Sequence, residues 1–181
     1  MEIIKQANEG SWEKLCERNV PNDEQVIESV QTIVSEVQHH GDEALRRYAL
    51  EFDHATLGAL ELSAEERAEA EQHVSEEVKQ AIHHALHNIT AFHQAQLPHT
   101  VEVETQPVVR CLQKAVPIQR VGLYIPGGRA PLFSTVLMLA APARIAGCPE
   151  VVLCTPQGAD GHIAPEIIYA ANACKVDHIY R

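Results

Sequence analysis

The sequence predicts an α/β chain in which a helical arm precedes a parallel βαβαβ sheet. Three observations predict it. Glycine and proline rise sharply near residue 100: residues 1–100 hold 3 Gly and 2 Pro, residues 101–181 hold 6 Gly and 8 Pro. Long helices tolerate few of either, whereas strand–turn–helix units need both at their turns. Hydrophobic periodicity changes at the same place, from helical spacing to short buried runs. Those runs then alternate with helical segments, as parallel sheets with crossover helices do. The expected organisation is an acidic helical arm over 1–100 and the first part of a sheet domain over 101–181.

The elements follow in order. Val26, Ile27, Val30, Ile33, Val34 and Val37 recur on one helical face. Pro21-Asn22-Asp23 supplies a start and Gly41 a stop. Asp42 to Phe52 forms a second helix with Leu45, Tyr48, Ala49 and Phe52 on one side. Ser63-Ala64-Glu65-Glu66 is a capping box, in which Ser63 and Glu66 satisfy orphan backbone donors. A long helix runs from about Ser75 to Gln94, with Val78, Ile82, Ala85, Ile89 and Phe92 expected inward, and Leu97-Pro98 ends it.

Beyond that point the period is that of strands. Val101 to Thr105 alternates, the mark of a half-buried strand. Arg120 to Ile125 reads as a buried strand that feeds Pro126-Gly127-Gly128 and a helix from Leu132 to Ala146, stopped by Gly147. Val151 to Cys154 is the next buried strand. Thr155 to Ile163 is a loop, Pro165 opens a helix to Cys174, and Asp177 to Tyr180 begins a third strand. A sheet of three such strands is expected to leave an edge and one face uncovered, and so to favour aggregation or dimerisation.

Composition limits the partners. The 181 residues are 45% hydrophobic and 22% charged, as in an ordinary globular chain. Net charge is −11, but residues 1–100 carry −12 and residues 101–181 carry +1. An acidic surface repels phosphate backbones, which argues against nucleic acid, while the near-neutral second part suits a small anionic ligand. Cys16, Cys111, Cys148, Cys154 and Cys174 show no CxxC spacing. With no secretory signal at the start and no apolar run long enough to span a bilayer, the expectation is a cytoplasmic protein with reduced thiols and no membrane partner.

The loop Tyr124-Ile125-Pro126-Gly127-Gly128-Arg129-Ala130-Pro131 is the most informative stretch. It lies where a strand feeds a helix, and parallel sheets bind ligands beyond the carboxyl ends of their strands. Its two glycines allow close backbone approach, and helix-start N–H groups favour an anion. The pattern is not GxGxxG, and the spacing alone fits a plain tight turn equally well. Ser134 caps the following helix or touches a polar ligand. His83 and His87 share a helix face at zinc-like spacing, but no HExxH pattern or third ligand accompanies them, so a solvated face is the simpler reading. The glutamates of 65–77 read as a solvated face, and Cys148 and Cys154 as core thiols.

Several separated blocks together resemble one family. They are Gly41-Asp42-Glu43-Ala44-Leu45, Val103-Glu104-Thr105-Gln106-Pro107, Val121 to Gly128, Ala130 to Met138, and Ile145-Ala146-Gly147-Cys148. In this order they closely resemble histidinol dehydrogenase of the enterobacterial type, from about Ile27 to the last residue. The resemblance implies an incomplete Rossmann-like sheet and an NAD-dependent oxidoreductase of histidine biosynthesis. Such enzymes oxidise L-histidinol to L-histidine through L-histidinal, use zinc to hold the substrate and a Glu-His pair for protons, and act as cytoplasmic homodimers. Carried over residue by residue, it implies NAD contact at Tyr124, with Pro126, Gly127 and Gly128 in the same loop, and substrate proximity for Ser134. It assigns no catalytic residue and no metal ligand to this chain. The family's Gly-Gly-Ala-Gln-Ala block is expected just after Arg181, and its zinc ligands and Glu-His pair further on. The chain is therefore expected to be an N-terminal portion, inactive alone. A non-catalytic nucleotide-binding module and a helical interaction module are the competing readings.

Overall fold

A computed structural model describes residues 9–16, 24–127, 130–158 and 161–181. Five helices come first: α1 (Glu9–Cys16), α2 (Glu24–His40), α3 (Asp42–Asp53), α4 (Ala64–Gln72) and α5 (Glu76–Gln94). A hairpin follows, β1 (Val101–Gln106) and β2 (Val109–Gln113). Then come β3 (Arg120–Tyr124), α6 (Phe133–Ile145), β4 (Glu150–Cys154), α7 (Pro165–Ala173) and β5 (His178–Tyr180). The expected α/β architecture is present, with a parallel sheet of order β3-β4-β5. Register pairs Arg120 with Glu150, Leu123 with Leu153 and Leu153 with Ile179.

Contacts divide the chain into two compact units, residues 1–45 and 46–181. The composition shift near residue 100 therefore marks a change of element type and not the place where contacts divide. In the larger unit, α5 packs on α6 and α7, and α4 packs on α7. Ile82, Leu137, Ala140, Val151, Leu153, Ile167, Ala171 and Ile179 are among the side chains of one continuous buried core. The odd-numbered residues of β3, β4 and β5 point into it, as a two-residue period requires. Val78, Ala85 and Ile89 face the same core from α5.

Several local rules hold. The capping box of α4 is complete: Glu66 N–H donates to Ser63 Oγ, and Ser63 N–H donates to Glu66 Oε2. Gly41 and Gly147 follow α2 and α6 with φ of +55° and +83°, the left-handed turn that ends a helix. Arg67 of α4 clamps the end of α7, donating to Asn172 Oδ1 and to the carbonyls of Val176 and Asp177.

Other expectations change. Phe92 is 65% exposed, one turn beyond the part of α5 that meets the core. Val26, Ile27, Val30 and Val34 of α2 are each at least 50% exposed, and α2 has no buried residue. Leu45 and Phe52 of α3 are also exposed. β1 is not half-buried: all of its residues are exposed, and among the described residues it pairs with β2 alone, antiparallel. The outer edge of β5 is not bare. Residues 60–62 lie antiparallel to it, with Leu62 N–H donating to Ile179 O and Arg181 N–H to Leu60 O, each at 2.9 Å. This strap ties the segment before α4 to the sheet.

Candidate functional site

A cleft of about 250 Å³ opens at the carboxyl ends of β3 and β4. Its walls are the turn after β3, the turn after β4 and the start of α7. Pro126, Gly127 and Pro131 line one side, and Thr155, Pro156, Gln157 and Gly158 the other. His162 and Ile167 complete it. This is the crevice at which open α/β sheets bind ligands. It has mainly apolar walls with a few polar groups, the usual make-up of a small-molecule site.

The two turns approach closely at Gly127. A Cβ built there would lie 2.8 Å from Pro156 Cγ, closer than carbon atoms pack. Glycine is therefore needed for the walls to meet as they do. The strand ends are locked together beneath them, since Ile125 N–H donates to Cys154 O at 3.0 Å and Thr155 N–H to Tyr180 O at 3.0 Å. Gln157 is nearly buried, and its Nε2 donates to Thr56 O at 3.3 Å. Gly158 N–H donates to His162 O at 2.8 Å, closing the turn that carries His162.

Of the sequence-predicted residues, Tyr124, Pro126 and Gly127 lie at one end of the sheet. Tyr124 is the last residue of β3, in register with Cys154, and is 64% exposed. Its strand position puts it on the sheet face opposite α6 and α7, while Pro126 and Gly127 line the cleft. Gly128 lies outside the described residues. Ser134 is exposed in the first turn of α6 and makes no cap bond; α6 has neither a side-chain cap nor an acid in its first turn. Thr155 was not singled out by sequence beyond its place in a loop. It is 2% exposed, and its Oγ1 is buried with no partner among the described residues. A hydroxyl directly after a buried strand is the only sequence signal it gives.

The thiols differ from expectation at one point. Cys148 and Cys174 are buried, but Cys154 is exposed at the strand end. Burial pushes the Cys174 thiol up to about 11 and raises Cys154 as well. Neither is an activated nucleophile. His83 bonds Tyr169 Oη at 2.9 Å rather than standing with His87 as a ligand pair. Among the described residues, no three His, Cys, Asp or Glu side chains converge to hold a metal ion, so these residues do not fit a zinc centre. What the cleft offers a ligand is a close meeting of two turns at Gly127 and a buried hydroxyl that lacks a partner among the described residues. Among the described residues, no helix is long and apolar enough to cross a membrane.

The comparisons with known proteins agree with one another. The family model for histidinol dehydrogenase matches residues 16–181. The histidinol dehydrogenase of Bacteroides thetaiotaomicron is 48% identical over all 181 residues, which cover 42% of that relative. That of Escherichia coli K12 is 54% identical over 157 residues, 87% of this chain and 35% of the relative. The crystal structure of histidinol dehydrogenase from Elizabethkingia anophelis superposes with a TM-score of 0.90 at 40% identity, covering 97% of this chain and 40% of that one. The chain thus spans less than half the length of these relatives.

Proposed function

Because the chain belongs to the histidinol dehydrogenase family, we propose that it forms the cofactor side of an NAD-dependent oxidoreductase that converts L-histidinol to L-histidine through L-histidinal. This reading makes the whole protein a cytoplasmic homodimer of histidine biosynthesis. It assigns residues 1–100 to a helical arm and residues 101–181 to the first part of the NAD-binding domain. NAD, when bound, accepts the hydride that leaves the substrate carbon.

The chain's own residues bind and orient. Tyr124 offers an exposed ring at the end of β3, Gly127 lets the two turns meet closely, and Pro126, Pro131 and Pro156 give the cleft apolar wall. Gly128 is assigned to the same cofactor motif by the family resemblance, and Ser134 to the neighbourhood of the substrate. Because Tyr124 and the cleft belong to opposite faces of the sheet, a ligand that touches both crosses the carboxyl edge. That suits a long molecule such as a dinucleotide. The zinc site and the Glu-His pair are not assigned to any residue here, so we propose that the 181-residue chain alone has no turnover.

The observation that carries this reading is the cleft at the carboxyl ends of parallel strands, closed by a glycine that tolerates no Cβ. Calorimetric titration tests it. Weak, roughly millimolar binding of NAD is expected, with no NADH formed when histidinol is added. Turnover by the purified chain would overturn the assignment of catalysis elsewhere. A helical interaction module is the second reading, favoured by the exposed aliphatic face of α2; absence of any NAD heat would favour it.

A further inference from the structure

We propose that Thr155 is an additional cofactor-binding residue, whose hydroxyl donates to a phosphate oxygen of the dinucleotide beside the start of α6. The inference rests on the cofactor reading above and adds a residue and a subsite to it.

Thr155 follows β4 directly and lines the cleft opposite Gly127. Its N–H is used by Tyr180 O. Its Oγ1 is buried and has no partner among the described residues. A buried hydroxyl without a partner is unfavourable, and valine would fill the same volume without that cost. A hydroxyl kept in the wall of a cleft calls for a partner from outside the chain. In this proposal Oγ1 leaves its shielded setting by turning about χ1 between staggered positions to meet an oxygen held in the cleft.

The surroundings choose the partner's chemistry. No described residue that lines the cleft bears a carboxylate. Ala130 and Pro131 lead from the cleft into α6. That helix starts without an acid in its first turn and without a side-chain cap, whereas α4 and α5 are capped by Ser63 and Ser75 and start with glutamates. Thr135 and Val136 N–H already donate to Leu132 O, but the positive end of α6 has no acid in its first turn and no side-chain cap to balance it, and an anionic oxygen suits it best. The diphosphate is the part of a dinucleotide that supplies such oxygens. A neutral base or amide would leave the helix start unanswered.

The test compares Thr155→Val and Thr155→Ser with the unmodified chain. Binding of NAD and of adenosine, which lacks the diphosphate, is read by saturation-transfer NMR, and folding by thermal midpoint. Thr155→Val is expected to weaken NAD about tenfold, to leave adenosine unchanged, and to keep or raise the midpoint. Thr155→Ser is expected to bind NAD within about twofold of the unmodified chain. The inference is overturned if Thr155→Val binds NAD as well as the unmodified chain does, or if serine is as damaging as valine. A parallel loss of adenosine would move the contact to the base and also overturn it. No NAD signal from the unmodified chain, even at about 10 mM, would instead refute the cofactor reading, and this inference with it.

Discussion

At the scale of single residues, Gly127 carries the most exposed prediction. Gly127→Ala forces a methyl to 2.8 Å from Pro156 Cγ, and a proline ring at the end of a strand has little room to yield. A loss of about 1–3 kcal/mol is expected in denaturant unfolding, together with loss of NAD binding. An alanine variant with unchanged stability and affinity would show that the two turns are not tightly apposed. Val108 presents the opposite case. It sits at φ +67° in the β1–β2 turn and is 97% exposed, held by its N–H to Glu104 Oε1. A β-branched residue is unfavourable there, so Val108→Gly should stabilise the chain by about 1 kcal/mol. An unchanged or lower unfolding midpoint would contradict it. Glycine and proline between a strand and a helix made the loop at Pro126 and Gly127 legible, whereas NAD contact at Tyr124 is implied by the family resemblance alone. Sequence reasoning did not reach Thr155, since burial of a hydroxyl without a partner is a property of the packed chain and leaves no local pattern.

The strap on β5 makes stability depend on pH at the scale of elements. Glu61 accepts from His178 Nδ1 at 2.6 Å, and this bond raises the histidine above its usual value of 6.5. A raised folded value means that the stabilisation is fully present below the unfolded value and is lost as pH rises through the folded one. Asp177, whose carbonyl is held by Arg67 of α4, works in the other sense. Burial pushes its carboxyl up, but the Val151 N–H and the Arg144 guanidinium outweigh that and hold it below its usual range. Its contribution is present above the unfolded carboxylate range and is lost as pH falls through the lowered folded value. The thermal midpoint should therefore decline on both sides, and His178→Asn should remove the alkaline decline while leaving the acid one. An unaltered alkaline decline would dismiss the strap as its cause. For α4 itself, Ser63→Ala should cost about 1 kcal/mol through loss of the capping box.

These elements were legible to different degrees. Helix spacing, Ser63-x-x-Glu66 and the stop glycines are local patterns, and they located α2 to α5 closely. β3, at the edge of the described sheet, alternates exposed and half-buried residues instead of being buried as expected; the run at 151–154 is apolar because β4 is central, and it too was readable. The β2 strand was not, because Pro107 and Val108 make an uncommon turn and Arg110 to Gln113 carries no clean alternation. The antiparallel strap was not legible either. Its three residues touch a strand more than a hundred positions away, and only tertiary structure brings them together.

For the whole molecule, the distribution of charge and apolar surface matches a chain with two kinds of surface to offer. The acidic helices expose Val26, Ile27, Val30 and Val34, and the hairpin region exposes Leu112, Val116 and Ile118. Patches of this kind mark interaction surfaces. Light scattering is expected to show self-association of the isolated chain, and a monodisperse monomer would contradict that. The second surface is the cleft at the carboxyl edge of β3-β4-β5, in the part of the chain with nearly balanced charge. The central claim is that this edge is the cofactor side of the enzyme. Chemical-shift mapping of the labelled chain with NAD tests it most directly. Shifts concentrated at Tyr124, Gly127, Thr155 and the start of α6 are predicted; no shifts at about 10 mM NAD, or shifts confined to α1–α3, would contradict it.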